Sequence, residues 1–243
     1  SDGQNCLDKE VPVDVFLQQM MRVISDSFNR NTQFVIALFT NFTHFITEIR
    51  EGNVSFSAGL SFSMMVAVCM SFFEAIVYFL NKNEMNVFIF CYMVFFTWFM
   101  IHICGTVLWL ASIFFGGTAT LLKTITGFQF LSLGFVFIRI VELPSLMVTH
   151  KVILSQSEPF QKDIAAMISQ SIFQNPFSFT STLLGFAGYI FFGYWIYRML
   201  RVLHNINWWR GLGAIGFGAW LISETVTYVQ HPIVQILVFA NQA

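Results

Sequence analysis

The sequence predicts an all-α, polytopic membrane protein: a bundle of five transmembrane helices accompanied by amphipathic helices at the membrane interface. Three observations carry this expectation. Five long apolar runs fill most of the chain between Phe56 and Phe239, and each exceeds the ~20 residues that a 30 Å hydrocarbon core requires. Of the 243 residues, 56% are hydrophobic and only 10% charged, against about 25% charged in an ordinary globular domain. So few charges cannot solvate a globule of this size, and lipid must be the main solvent. Short polar turns or paired glycines separate most of the runs, which makes consecutive spans antiparallel neighbours.

Residues 1–54 read as an N-terminal amphipathic helical region, cytoplasmic or interfacial, and residues 55–243 as the five-helix transmembrane domain. Polar residues recur through 13–50, so this stretch does not span. Its apolar residues fall at helical spacing instead: Phe16, Met20, Val23 and Ile24 share one face, and Val35, Leu38, Phe39, Phe42, Phe45, Ile46 and Ile49 form a second stripe. Such faces suit the membrane interface, partner helices or a packed cytoplasmic cap. Asn29, Asn31 and Thr32 are the expected break between two helices. Spans are then expected at about 56–80, 87–115, 125–148, 182–203 and 212–239. The one long connection carries Ser157 and Glu158 before Pro159, a helix-start pattern. A second interfacial helix is therefore expected at about 158–174, with Phe160, Ile164, Met167, Ile168 and Ile172 on one face.

Basic residues near the span ends set the orientation. Arg50, Lys123, Arg198, Arg201 and Arg210 lie on the N-terminal side, against Lys82, Lys151 and Lys162 on the other. The excess predicts a cytoplasmic N-terminus and, with five spans, an external or lumenal C-terminus. The first ten residues carry neither a basic nor an apolar signal-peptide region, so no cleavable signal is expected.

Inside the apolar runs lie Glu74, Arg139, Glu142 and Glu224, with His102 at comparable depth. Ionisable groups in hydrocarbon are costly and mark candidate sites. Arg139 and Glu142 are three residues apart and share a helix face. One cation against three carboxylates leaves charge to be shed by protonation or met by water. Two uses follow: a polar clasp that fixes helix packing, or a proton, ion or headgroup site. Pro144 removes a backbone donor and is expected to kink the third span, freeing a carbonyl near residue 140. On the cytoplasmic surface, Lys123, Arg198, Arg201, Trp208, Trp209 and Arg210 combine basic groups with headgroup-level aromatics. The glycines of the last two spans, from Gly185 to Gly218, are expected to pack those spans as a tight hairpin.

No catalytic signature is present: there is no nucleophile with a neighbouring His and carboxylate at motif spacing, no HExxH, no GxGxxG and no P-loop. His44, His150, His204 and His231 each fall at or outside an expected membrane boundary, and Cys69, Cys91 and Cys104 read as small apolar residues. Neither a metal nor a cofactor is expected. A net charge of -1 with no Lys/Arg stripe gives no footprint for a nucleic-acid partner.

Particular stretches resemble the Yip1-domain family of five-span membrane proteins. They are Gly116-Gly117-Thr118-Ala119-Thr120-Leu121-Leu122-Lys123-Thr124, Leu143-Pro144-Ser145-Leu146, Trp195-Ile196-Tyr197-Arg198, and Leu203-His204-Asn205-Ile206-Asn207-Trp208-Trp209-Arg210. The resemblance covers about residues 50–240. The acidic, proline-containing cytoplasmic signature of the eukaryotic trafficking members has no counterpart here, so the chain looks more like the bacterial branch. That resemblance implies a bacterial inner-membrane protein, or a Golgi or ER one if the source is eukaryotic. It also implies a non-enzymatic subunit or adaptor, whose partners are membrane lipids and either another protein or further copies of itself. The alternative reading of the same residues is a small transporter, channel or lipid-handling protein built around Glu74, His102, Arg139, Glu142 and Glu224.

Overall fold

In hydrocarbon every backbone N–H and C=O must find a partner within its own segment or a closed sheet, and long runs without strand alternation satisfy this as helices. The computed structural model describes residues 13–81, 86–155, 164–225 and 227–228. Among them the regular elements are all helical: α1 (Val13–Thr40), α2 (Phe42–Glu51), α3 (Phe56–Leu80), α4 (Val87–Phe114), α5 (Leu121–Leu131), α6 (Leu133–Leu154), α7 (Ile164–Gln174), α8 (Pro176–His204) and α9 (Trp208–Thr225). The all-α fold class is as the sequence predicts. Four helices are long and apolar enough to cross a membrane, over Phe56–Leu80, Val87–Phe114, Leu121–Ile153 and Pro176–His204. The chain is thus an integral multi-pass membrane protein in build. The fifth expected span begins as α9, and residues 229–243, which would complete it, lie outside the described residues.

The chain divides into two compact units between Phe42 and Thr43. The first contains α1, a helix of 28 residues that runs through Asn29, Asn31 and Thr32 without the expected break. Thr32 accounts for part of this, because its Oγ1 donates to the Phe28 carbonyl, four residues back, and so the hydroxyl does not cap a new helix. The interruption falls instead at Asn41, between α1 and α2.

The second unit starts inside α2. Phe45, Ile46 and Ile49 of the second amphipathic stripe are buried, and the Phe45 ring meets Phe130 edge-on at 5.1 Å. These three residues of α2 therefore pack within the second unit, although the sequence grouped them with residues 1–54. Amphipathic spacing reveals that a face is apolar, not what covers it.

The centre of the unit is α5. Every residue from Thr124 to Leu131 is buried, with α3, α4 and α8 packed around it. Phe62, Phe128, Phe130, Leu131, Leu108, Met199 and Leu200 fill this core at 1% exposure or less. Since lipid tails are as apolar as these side chains, close packing and polar contacts hold the helices together rather than the hydrophobic effect.

The third span is longer than expected and irregular at a different place. Helix runs from Leu121 to Leu154, interrupted at Ser132. There Ser132 Oγ donates to the Gln129 carbonyl at 2.6 Å, and Phe135 N–H bonds to the Ser132 carbonyl at 3.0 Å, a tightened turn of 3₁₀ type. Pro144 lies inside α6, which remains helical on both sides of it. One turn before the proline, the Val141 carbonyl accepts from Ser181 Oγ of α8 at 2.7 Å. The carbonyl that the proline leaves without its helical donor is that of Ile140, and Ser181 serves the adjacent one at Val141.

Helix ends follow their sequence signals. Ser55, Asn86 and Asn175 cap α3, α4 and α8 through side-chain oxygens, Pro176 occupies the first turn of α8, and Asn205 in the left-handed region (φ 52°) ends it. The glycines of α9 serve two neighbours. Gly211 lies against Tyr197 and Arg201 of α8, whereas a Cβ at Gly218 would come within 2.9 Å of Leu108 on α4. The last glycine stripe therefore builds an α4–α9 contact as well as the expected α8–α9 hairpin. Helix α7 is the described part of the second expected interfacial helix, and residues 158–163 lie outside the described residues.

Candidate functional site

Three helices bring the ionisable residues of the membrane layer together. Glu74 and Tyr78 are one turn apart on α3, Arg139, Glu142 and His150 share a face of α6, and Tyr189 comes from α8. Arg139 Nη2 lies 3.7 Å from Glu74 Oε1 and Arg139 Nη1 3.8 Å from Glu142 Oε2. Both separations exceed the ~2.7–2.9 Å of a charge-assisted hydrogen bond, so the guanidinium acts as a cation shared between two carboxylates. The direct hydrogen bonds come from neutral-capable groups. His150 Nε2–H donates to Glu74 Oε2 at 3.0 Å, and the Tyr189 hydroxyl donates to Glu142 Oε2 at 3.4 Å. The Tyr78 ring closes the cluster, edge-on to His150 at 5.0 Å.

Packing makes room for the charges. A Cβ at Gly185 of α8 would lie 2.6 Å from Glu142 Oε1, so this glycine admits a carboxylate where the sequence suggested only close backbone approach. Arg139, Glu74 and Glu142 keep 25%, 17% and 15% of their side-chain surface exposed, whereas His150 is buried and its Nδ1 has no hydrogen-bond partner among the described residues. With a neutral imidazole the four groups sum to one negative charge; one bound proton neutralises the cluster.

Of the five residues expected in this layer, Glu74, Arg139 and Glu142 converge. His102 belongs to a separate polar contact. Its Nδ1 lies 2.7 Å from the Trp98 carbonyl and must carry the hydrogen there, so Nε2 accepts from the Gln129 amide at 2.8 Å. That fixes the amide, with Gln129 Oε1 turned toward Gly59, where any side chain would collide with it. Glu224 lies on α9, and among the described residues no hydrogen bond or ion pair joins it to either contact. His150, which the sequence placed at a boundary, is the member that was missed. A signal existed: residues 139 and 150 are eleven apart, three helical turns, and fall on one face.

A second arrangement forms at the opposite, N-terminal-side end of the spans. His204, fully buried at the end of α8, accepts from the Ala119 N–H through Nδ1 at 3.3 Å. Its Nε2–H then donates to Thr124 Oγ1 at 3.0 Å, and that hydroxyl donates to the Thr120 carbonyl at 3.1 Å. The Thr118 hydroxyl bonds to the His204 carbonyl at 3.2 Å. The double glycine has two separate tasks here. Gly116 takes a positive φ of 82°, the expected tight reversal. At Gly117 a Cβ would press into the His204 ring and lie 2.8 Å from the Ser112 carbonyl, so its role is close approach. His204, expected at or outside a membrane boundary, is thus the residue that ties the α4–α5 turn to the end of α8.

Around this corner lie the expected surface residues. The Lys123 ammonium donates to the Arg50 carbonyl, Arg50 Nη1 to the Val202 carbonyl at 3.2 Å, and Arg198 Nη2 to Thr43 Oγ1 at 2.8 Å. Arg201 sits over the Tyr197 ring at 5.6 Å, and Trp208 stacks on Trp209 at 3.8 Å. The Arg210 guanidinium lies beside Gly116. Arg50 and Thr43 join this surface in addition to the residues the sequence singled out. Among the described residues no group of three or more His, Cys, Asp or Glu side chains is placed to hold a metal ion.

No family model, curated protein or solved structure matches this chain. Fold and site geometry define a class, the multi-pass α-helical membrane protein, and the activity is a matter of inference from the residues.

Proposed function

We propose that the protein is a Yip1-like, non-enzymatic subunit or adaptor of a membrane assembly, held in a bacterial inner membrane with its N-terminus in the cytoplasm. The observation that supports this most is the fate of the intramembrane carboxylates. Glu74 and Glu142 share one guanidinium and are engaged by His150 and Tyr189, so the bundle's own side chains take up the polar groups a substrate would need. Such a clasp fixes α3, α6 and α8 against one another and leaves the outer helix faces to lipid and partners. The resemblance to the Yip1 family is carried by four stretches, among them those around Gly116-Gly117 and Leu203–Arg210. In support, these two stretches contact each other through His204.

One observation favours the transport alternative: the cluster is a single proton away from neutrality, which suits a protonation-driven change of state. The test is a variant carrying Glu74→Gln, Glu142→Gln and Glu224→Gln, reconstituted alone in liposomes beside the unaltered protein, and also followed in cells on native gels. An adaptor gives no proton or ion flux in either case, and the variant keeps its high-mass assembly. Flux through the unaltered protein that the variant loses would overturn the adaptor reading.

A further inference from the structure

The corner where α2, α5 and α8 meet gathers cations from three helices. Arg50 is in the last turn of α2, Lys123 in the first turn of α5, and Arg198 and Arg201 in the last two turns of α8. Each makes a contact with a neutral group of the protein. Arg50 binds the Val202 carbonyl, Lys123 the Arg50 carbonyl, Arg198 the Thr43 hydroxyl, and Arg201 the Tyr197 ring and hydroxyl. For Arg50, Lys123 and Arg201 such neutral contacts fix position without cancelling charge. The ion pairs among the described residues involve none of Arg50, Lys123, Arg201 and Arg210. The carboxylates of α2 are Glu48 and Glu51, and Glu48 is engaged by Asn53 at 2.9 Å and faces His44 at 3.9 Å.

The depth of the corner in the membrane follows from the helices that end there. α4 and α8 terminate and α3 and α5 begin at this end, and the exposed, stacked pair Trp208–Trp209 lies just beyond α8, the placement of headgroup-level anchors. Leu122, beside Lys123, is exposed as well, so apolar surface adjoins the cations. A guanidinium has five N–H donors, and one or two spent on a carbonyl or hydroxyl leave the rest of the planar fork for a phosphate. Fixed cations, surplus donors and adjoining apolar surface together match a phosphodiester attached to acyl chains.

We propose that Arg50, Lys123 and Arg201 form a site for the phosphate of an anionic phospholipid in the leaflet on this side of the membrane. The inference needs only the membrane placement of the bundle and is independent of whether the protein acts as an adaptor.

The test uses the full chain in detergent, equilibrated with phosphatidylglycerol or with phosphatidylcholine of the same acyl chains, and counts retained lipid by native mass spectrometry. Since each Lys or Arg near anionic lipid contributes about 1 kcal/mol, removing one lowers retention of phosphatidylglycerol on the order of fivefold. Lys123→Gln with Arg201→Gln should therefore reduce its preference over phosphatidylcholine by roughly 25-fold, and Lys123→Arg with Arg201→Lys should restore most of it. If the glutamine pair does not fold, judged by thermal unfolding, Lys123→Gln alone should still give the roughly fivefold fall. Equal retention of the two lipids by the unaltered protein would overturn the proposal. So would an unchanged preference in a folded glutamine variant, or full displacement of lipid by millimolar inorganic phosphate, which would mark a free-phosphate site instead.

Discussion

Arg139 is the residue whose loss the cluster should tolerate least. It is the one guanidinium between Glu74 and Glu142, and replacing it with glutamine leaves Glu74 with His150 and Glu142 with Tyr189 alone. Breaking a fully buried pair by removing one partner is destabilising by about 3–5 kcal/mol, because the survivor is left desolvated and unmatched. Here the three side chains keep 15% to 25% of their surface exposed, which places Arg139→Gln at the lower end, about 3 kcal/mol. A single Glu74→Gln leaves one carboxylate facing one cation and keeps a hydrogen-bonding amide, so it should cost about 0–2 kcal/mol, as membrane-buried hydrogen bonds do. The informative comparison is the triple variant Arg139→Gln, Glu74→Gln, Glu142→Gln. It removes every charge that Arg139→Gln strands, so it should be more stable than Arg139→Gln alone, a non-additivity expected only for groups in one network.

The assay is equilibrium unfolding in mixed micelles, with far-UV helicity and tryptophan fluorescence followed together. Arg139→Gln should lower the folding equilibrium constant by roughly two orders of magnitude, since each 1.4 kcal/mol is a factor of ten. If Arg139→Gln and Glu74→Gln are equally stable, or the triple variant is no better than Arg139→Gln, the three residues do not act as a charge network and the clasp is wrong.

Other outcomes follow from single contacts. Gly117→Ala drives a methyl into the His204 ring and the Ser112 carbonyl and should destabilise by about 1–3 kcal/mol, as overpacking does, measured by thermal unfolding. Gly185→Ala crowds Glu142 and should show a loss of similar size, about 1–3 kcal/mol, that shrinks when Glu142 is also replaced by alanine. For topology, single cysteines at Asn53 and Ser155 in a cysteine-free background should label from opposite faces, Asn53 from the cytoplasm. Labelling from one face would remove the membrane orientation on which the lipid site depends.

What the sequence made legible is the information carried by composition and spacing along one helix. Run length defined the helices because a bilayer demands it; the expected starts at 56 and 87 agree with α3 and α4, whereas α8 begins at Pro176, six residues before the expected 182. The misplaced features share one cause, in that each depends on what a face packs against. The α2 stripe stayed open between interface, partner helices and a packed cap because its periodicity is identical whether lipid or Phe130 covers it. Ser132 carries no sequence signal of a break, yet a hydroxyl bonded back to the Gln129 carbonyl marks the interruption of the span, while α6 stays helical through Pro144. Propensity weighs a residue alone; the donor that Ser181 offers at Val141 belongs to another helix.

The candidate site divides along the same line. Arg139 and Glu142 were pairable from sequence because three residues is most of a helical turn, and Glu74 was a reasonable third because charge in hydrocarbon seeks charge. His102 and Glu224 were assigned to the same layer by depth alone, and depth does not determine azimuth. His102 points instead to Gln129, a pairing that satisfies a neutral ring with a neutral amide and leaves the carboxylates to Arg139 and His150. His150 and His204 were set aside as boundary residues, yet both are buried. For each, the helical face was the better guide: His150 follows Arg139 by three turns, and His204 continues the buried row Phe192, Ile196 and Leu200 at four-residue steps. A histidine at the edge of an apolar run should therefore be read by the face it continues before it is read by its distance from the membrane centre. By that rule the two histidines separate into different roles. His204 is saturated by Ala119 and Thr124 and joins two turns. His150 retains an unpartnered Nδ1 beside a carboxylate pair that is one proton from neutral, so it, rather than His102 or Glu224, is the first residue to vary in separating a passive clasp from a protonation site.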